Sequence, residues 1–167
     1  MTDYASELAA LHADLRELGA TVAVAESLTG GLLTAALTAS PGASVTVRGG
    51  LVVYATELKT ALAGVPSGLL DERGAVDADV ALALAHGARA RLGARYGLGV
   101  TGVAGPDPQD DKPVGTVFLA LAGPSDETVA ERAFAGERAA IRAAAVEAML
   151  DILKRECAGA ITALRSL

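Results

Sequence analysis

Leu8, Leu11, Leu15 and Leu18 recur at steps of three and four, the period that gathers side chains on one face of a helix, and Gly19 supplies a stop. Residues 21–25 (TVAVA) form a short β-branched apolar run of the kind that fills a buried strand. After the polar turn ESLTGG, the run LLTAALTA predicts a helix ending at Ser40-Pro41-Gly42. Ser44 to Tyr54 is rich in β-branched residues and predicts a second strand, with Gly49-Gly50 marking a bulge or a close backbone approach. Thr56 to Ala63 predicts a helix that breaks at Val65-Pro66-Ser67-Gly68. Asp77 suits an N-cap for a helix through Leu92, with Val80, Leu84, Gly87 and Arg91 along one side. Leu98 to Thr101 reads as a strand, and residues 102–113 as a polar loop. Val114 to Leu121 and Thr128 to Phe134 predict neighbouring strands turning at Gly123-Pro124-Ser125-Asp126. A last helix carries Ile141, Ala145, Ala148 and Ile152 on one stripe. Early alternation of helix and strand, with two adjacent strands late, predicts an α/β fold: a three-layer α/β/α sandwich around a mixed sheet, in a single domain over residues 1–167.

Composition narrows the picture. A chain of 167 residues is near the usual size of one domain and buries roughly 70% of its extended surface. Only 3% of it is aromatic, so the core must be built from Ala, Val, Leu and Ile, which favours close packing of helix on sheet. The net charge of -6, without clustered Lys and Arg, argues against direct nucleic-acid binding. Cys157 alone cannot form an internal disulfide, and His12 and His86 lie too far apart in sequence to suggest zinc, so no metal is expected. The N-terminus is charged where a secretory signal is apolar, and no run of about 18 apolar residues occurs. A cytoplasmic protein without membrane contact is expected.

Candidate chemistry sits on three glycine-punctuated segments, each next to an expected strand. In open α/β sheets, strand ends are where ligands collect. In Glu26-Ser27-Leu28-Thr29-Gly30-Gly31, a strand-to-helix turn exposes side chains and free N–H groups able to hold an oxyanion. The plain alternative is that Ser27 or Thr29 only caps the helix. In residues 49–59, Lys59 soon follows a strand; desolvation there lowers a lysine's pKa and fits it for general-base work. Its plain alternative is a solvated lysine paired with Glu57. The third segment, Thr101 to Asp107 running into Lys112-Pro113-Val114-Gly115-Thr116, is either a ligand cradle or a long connection.

Together these segments read AESLTGG, PGAS, GGLVVYATELK, TGVAGP and KPVGTV, with GAV at 74–76 and FAGER at 134–138. In that order they resemble the CinA C-terminal domain family, also known as nicotinamide-nucleotide amidases, over roughly residues 5 to 155. The resemblance implies hydrolysis of the carboxamide of nicotinamide mononucleotide to nicotinate mononucleotide and ammonia, with no cofactor. It implies a serine–lysine pair of Ser27 and Lys59, with Tyr54 nearby to relay the proton or hold the lysine, and with Ser44 of PGAS as a rival nucleophile. Amides near Thr29, Gly30 and Gly31 would stabilise the oxyanion, and Thr101, Gly102 and Gly105 would contribute to the substrate site. Arg138, with Arg142 one helical turn away, is the candidate for the nucleotide phosphate; solvation on a helix face is the alternative for both.

Leu28, Ala55, Thr56 and Pro108-Gln109 depart from the family's usual residues, though none removes a proposed catalytic group. Some members carry an N-terminal molybdopterin-binding-like domain, and this chain resembles the stand-alone form. Competing expectations are a nucleotide sensor that does not hydrolyse and a protein-interaction module with a recombinase-type partner. A homo-oligomer is expected, a dimer first, through an Ala-rich helix.

Overall fold

The computed structural model of the chain describes residues 4–167. Its elements run α1 (Tyr4–Glu17), β1 (Val22–Glu26), α2 (Leu32–Thr38), α3 (Ala43–Thr46), β2 (Val47–Val52), α4 (Thr56–Ala61), α5 (Ser67–Arg73), α6 (Ala78–Leu92), β3 (Tyr96–Gly102), β4 (Thr116–Ala122), β5 (Glu127–Ala133) and α7 (Arg138–Arg165). Five strands form one sheet in the order β2-β1-β3-β4-β5. β1 is parallel to both of its neighbours, while β3–β4 and β4–β5 are antiparallel. The sheet is therefore mixed, as the alternation of elements predicts.

Burial follows position in the sheet. β1 and β4 are buried throughout, whereas the edge strands β2 and β5 are only partly covered. On one face Val22, Val24, Leu98, Val100, Leu119 and Leu121 pack against leucines of α1 and α2 and against Ile141, Met149 and Leu153 of α7. On the other, Ala23, Ala25 and Ala120 meet the α4–α6 layer. Glycine on β3 sets the spacing of that second layer: a Cβ on Gly97 would stand 1.9 Å from the Ala85 carbonyl oxygen, and one on Gly99 2.0 Å from that of Ala81. The α6 backbone thus rests almost directly on the strand, the close packing that a core poor in aromatics requires.

Several expected boundaries hold. Gly19 ends the first helix in a left-handed conformation, and the Asp77 carboxylate caps α6 by accepting from the Asp79 N–H at 2.8 Å. The anticipated irregularity in β2 is real: pairing steps from Val22↔Val47 to Ala23↔Gly49, leaving Arg48 as the extra residue. The β4–β5 turn falls where the sequence places it.

One expected boundary moves, and one helix is additional. Residues 43–46 form a helical turn, so the strand begins at Val47 and not at Ser44. Burial of Ala43 and Thr46 on one side of that turn, after Gly42 at a φ of 90°, wins over β-branching. The break expected after the α4 helix holds, since α4 ends at Ala61, but a helix not foreseen in the sequence, α5, starts from it, with the Pro66 carbonyl accepting from the Leu69 and Leu70 N–H groups. No described helix is long and apolar enough to cross a membrane.

His12 locks the lower end of the helical layer. It is fully buried, with Nδ1 2.7 Å from the Thr46 hydroxyl and Nε2 2.9 Å from the Leu37 carbonyl. A neutral ring satisfies both contacts, Nε2–H donating and Nδ1 accepting. Burial, aided by Arg16 and opposed by the Leu37 carbonyl, holds its pKa below the ordinary 6.5. The unfolded chain therefore takes up this proton first as pH falls. Stability is lost on acidifying from about pH 6.5 towards the folded pKa, with a slope of up to ~1.4 kcal/mol per pH unit from this one group, and levels off below it. His12→Gln is expected to flatten that segment in urea-unfolding midpoints taken from pH 8 to 5; equal slopes in the two proteins would contradict it.

Candidate active site

The parallel strands β1, β2 and β3 all finish at one edge of the sheet, where Glu26 pairs with Val52 on one side and Val100 on the other. The chain leaves β1 there through Ser27, whose N–H still donates to the Val100 carbonyl at 3.0 Å, so the serine is fixed between strand ends. An open cavity of about 530 Å³, counting its mouth, lies at this edge. Ser27, Lys59, Ala75, Val76 and Thr101 line it, with Tyr54, Asp107 and Arg138 among its other walls.

Lys59 is 1% exposed, although lysine is among the residues least often buried. Its Nζ stands 3.2 Å from Ser27 Oγ and 3.0 Å from the Val53 carbonyl. Neither partner carries a charge. Burial accordingly lowers its pKa below the usual 10.5, against the smaller opposing pull of Asp110 and Glu57. The pairing with Glu57 that a solvated lysine would make is not formed; an amine with a larger neutral fraction touches a serine hydroxyl instead.

The turn that carries Ser27 is held from beneath by Glu26, which is fully buried. Its carboxylate accepts from the Thr29 hydroxyl at 2.5 Å and the Leu33 N–H at 3.1 Å through one oxygen, and from the Thr34 N–H at 3.0 Å and hydroxyl at 2.6 Å through the other. These are the free N–H groups of the first turn of α2, and an anion there also suits the helix dipole. Gly50 leaves room for Thr34 to reach it, since a Cβ would stand 2.0 Å from the Thr34 hydroxyl oxygen.

Some expected site residues turn away from the cavity. Ser44 is exposed on α3, ahead of β2 at the opposite edge of the sheet; a five-residue strand at ~3.3 Å per residue puts it on the order of 15 Å from Ser27. It is not a rival nucleophile within this chain. The Thr29 hydroxyl is spent on Glu26, and the Gly30 N–H donates to the Ser27 carbonyl at 3.0 Å. Thr29, Gly30 and Gly31 therefore build the turn and do not line the cavity; Leu28 does, and among the described residues none accepts its N–H. Arg142 does not line the cavity; half-buried, it donates to the carbonyls of Leu28 at 2.9 Å and Thr29 at 2.8 Å, bracing the same turn from α7.

Arg138 does reach the cavity mouth, donating to the Gly105 carbonyl and the Tyr54 hydroxyl, both at 2.6 Å. Tyr54 thus pairs with the arginine at the rim, and the Val53 carbonyl, not the tyrosine, holds Lys59. Thr101 is buried and donates its hydroxyl to the Ala75 carbonyl at 2.7 Å. Gly102 and Gly105 line the wall beside it, Gly105 preceding a cis bond to Pro106. Glu26, Val53 and Asp110 carry roles that the motif spacing alone does not reveal.

The sequence matches the CinA C-terminal domain family over residues 5–157. It is 53% identical over 145 residues to a CinA-like protein of Frankia casuarinae, covering 87% of this chain and 34% of that protein. A putative competence-damage inducible protein of Desulforamulus reducens is 47% identical over 140 residues, covering 84% and 34% respectively. The chain thus spans about a third of the length of the curated relatives it matches. Among solved structures, competence/damage inducible protein CihA from Agrobacterium tumefaciens superposes with a TM-score of 0.87 at 36% identity, over 93% of this chain and 96% of that one. A competence-damaged protein (CinA) superfamily protein from Escherichia coli gives 0.85 at 30% identity, over 89% and 87%.

Proposed function

Because this chain belongs to the CinA C-terminal domain family, we propose that its cavity is the active site of an amidohydrolase that removes ammonia from the carboxamide of nicotinamide mononucleotide. The observation that carries this reading is the buried amine of Lys59, 3.2 Å from Ser27 Oγ in a cavity open to solvent.

Neutral Lys59 accepts the Ser27 proton as Oγ attacks the carboxamide carbon, the role a base plays in serine–lysine pairs. The Leu28 N–H, next to the nucleophile on the braced turn, is placed to donate to the oxyanion. The ammonium on Lys59 then returns its proton to the departing nitrogen, so ammonia leaves and an ester remains on Ser27. Neutral again, Lys59 takes a proton from water as the water oxygen attacks the ester carbon, then returns that proton to Ser27 Oγ as the serine leaves; the acid product is released and ionises in solvent. The Val53 carbonyl keeps the amine on station through both halves.

Arg138 supplies a cation at the mouth, suited to a phosphate at the far end of the substrate. Ammonia release from nicotinamide mononucleotide by the purified protein tests the reading; no release under conditions where the protein is folded contradicts it. Arg138→Ala is expected to raise KM about tenfold or more while leaving kcat within about threefold, the signature of lost binding with intact chemistry. An unchanged KM would place the phosphate elsewhere.

A further inference from the structure

One wall of the cavity is held by a residue outside every recognised motif. We propose that Asp110 is a positioning residue of this site: its carboxylate pins the wall at Ala75 and Val76 and supplies a negative charge that acts on Lys59. The inference rests on the serine–lysine reading above and extends it to the loop before β4.

Asp110 Oδ2 accepts from the N–H groups of Ala75 at 2.7 Å and Val76 at 3.1 Å. The Ala75 carbonyl in turn accepts from the Thr101 hydroxyl at 2.7 Å. This stretch of wall is thus gripped from both sides, by the loop through its amides and by β3 through its carbonyl. Ala75, Val76 and Thr101 all line the cavity with Ser27 and Lys59. The approach is close enough to require glycine next door: Gly74 has a φ of 76°, and a Cβ there would stand 2.7 Å from the Asp110 carboxyl carbon.

The loop adopts an uncommon backbone to present this carboxylate. Asp110 and Asp111 both have positive φ, 51° and 58°, between the reciprocal backbone bonds of Gln109 and Lys112. Aspartate tolerates the left-handed region better than most residues, but two in succession still cost energy that surrounding contacts must offset. The grip of Oδ2 on the Ala75 and Val76 N–H groups is such a contact.

Glu57 lies on the same helix as Lys59, the Asp110 charge acts on that lysine from behind the Ala75–Val76 wall, and Asp107, Arg138 and Tyr54 line the cavity. When the serine proton moves to Nζ, a positive charge forms in a place that otherwise disfavours it, and the Asp110 carboxylate stabilises that charge.

The test separates grip from charge. Asp110→Asn keeps an acceptor oxygen and drops the charge; Asp110→Ala drops both. The Lys59 Cε resonance, assigned by its loss in Lys59→Arg, is followed against pH by carbon-13 NMR in each protein, a readout that needs no turnover. The titration midpoint is expected at lower pH than wild type in both variants. With nicotinamide mononucleotide, assayed at a pH above those midpoints, kcat is expected to fall about tenfold in Asp110→Ala and to stay within about threefold in Asp110→Asn. A wild-type midpoint in Asp110→Asn overturns the charge role, and wild-type kcat in Asp110→Ala overturns the grip. If wild-type protein releases no ammonia, the hydrolase reading fails, and Asp110 is judged on the Lys59 midpoint alone.

Discussion

Lys59→Met is expected to lower kcat for carboxamide hydrolysis by about a thousandfold or more while leaving the fold intact. Methionine keeps the unbranched shape that fills the site yet can neither accept the Ser27 proton nor return it to the leaving nitrogen. Pairs that act as a unit lose nearly all their effect when one member goes, so Ser27→Ala should not add appreciably to the loss. The stability change should run the other way. The amine is buried against a hydroxyl and a carbonyl, with no opposite charge in contact, so removing it relieves desolvation. Its folded pKa lies below 10.5, so the unfolded chain binds this proton more readily, and stability from this group rises with pH up to that value. Lys59→Met should therefore be as stable as wild type or more so at neutral pH, with any advantage shrinking towards pH 10.5. On the proposed mechanism the same depression is expected to set an acid limb in kcat/KM with a midpoint below the ordinary lysine value. Urea unfolding and steady-state ammonia release check both halves; a variant that is folded and still active would remove Lys59 from the chemistry.

Glu26→Ala carries the largest expected effect on stability, a loss of about 3–4 kcal/mol in urea unfolding. The reason is the number of donors that depend on one carboxylate. Two N–H groups at the start of α2 and the hydroxyls of Thr29 and Thr34 all point at it, and Thr29 is fully buried. Alanine leaves all four unpaired, and those of Thr29 and Leu33 are buried away from water. Glu26→Gln retains one acceptor oxygen and should lose about 1–2 kcal/mol, since the amide nitrogen cannot accept. Activity should fall in both variants, because Ser27 leaves β1 immediately after this residue. A loss under about 1 kcal/mol for Glu26→Ala would mean that water or side-chain rearrangement replaces the carboxylate.

The parts of this architecture visible in the sequence are those with a local cause. Alternating β-branched runs mark β1 and the β4–β5 pair; Asp77 marks the start of α6, and Gly19 the end of α1. One segment is misread and one overlooked: at 43–46 burial overrides β propensity, and at 67–73 the proline that ends one helical stretch also stands at the start of the next. Ser27 and Lys59, the proposed nucleophile and base, are legible as candidates because they sit in short motifs, and the fold brings them into contact across 32 residues.

What holds them was not legible, for a physical reason in each case. Glu26 collects donors three, seven and eight residues ahead of it, a pattern created only when α2 folds back over the strand end. Asp110 grips amides 34 and 35 residues away. Arg142 has the spacing of an anion-binding partner for Arg138, yet its guanidinium faces carbonyl oxygens, which only the placement of α7 over the turn decides. Charge on a helix face identifies a residue able to bind; it does not say what lies opposite.

The ester on Ser27 is the species that the whole account requires. Rapid quenching during turnover of nicotinamide mononucleotide, followed by peptide mass analysis, should find the nicotinoyl nucleotide added to the peptide containing Ser27, with neither adduct nor ammonia release in Ser27→Ala. Ammonia release at the wild-type rate by Ser27→Ala would contradict it.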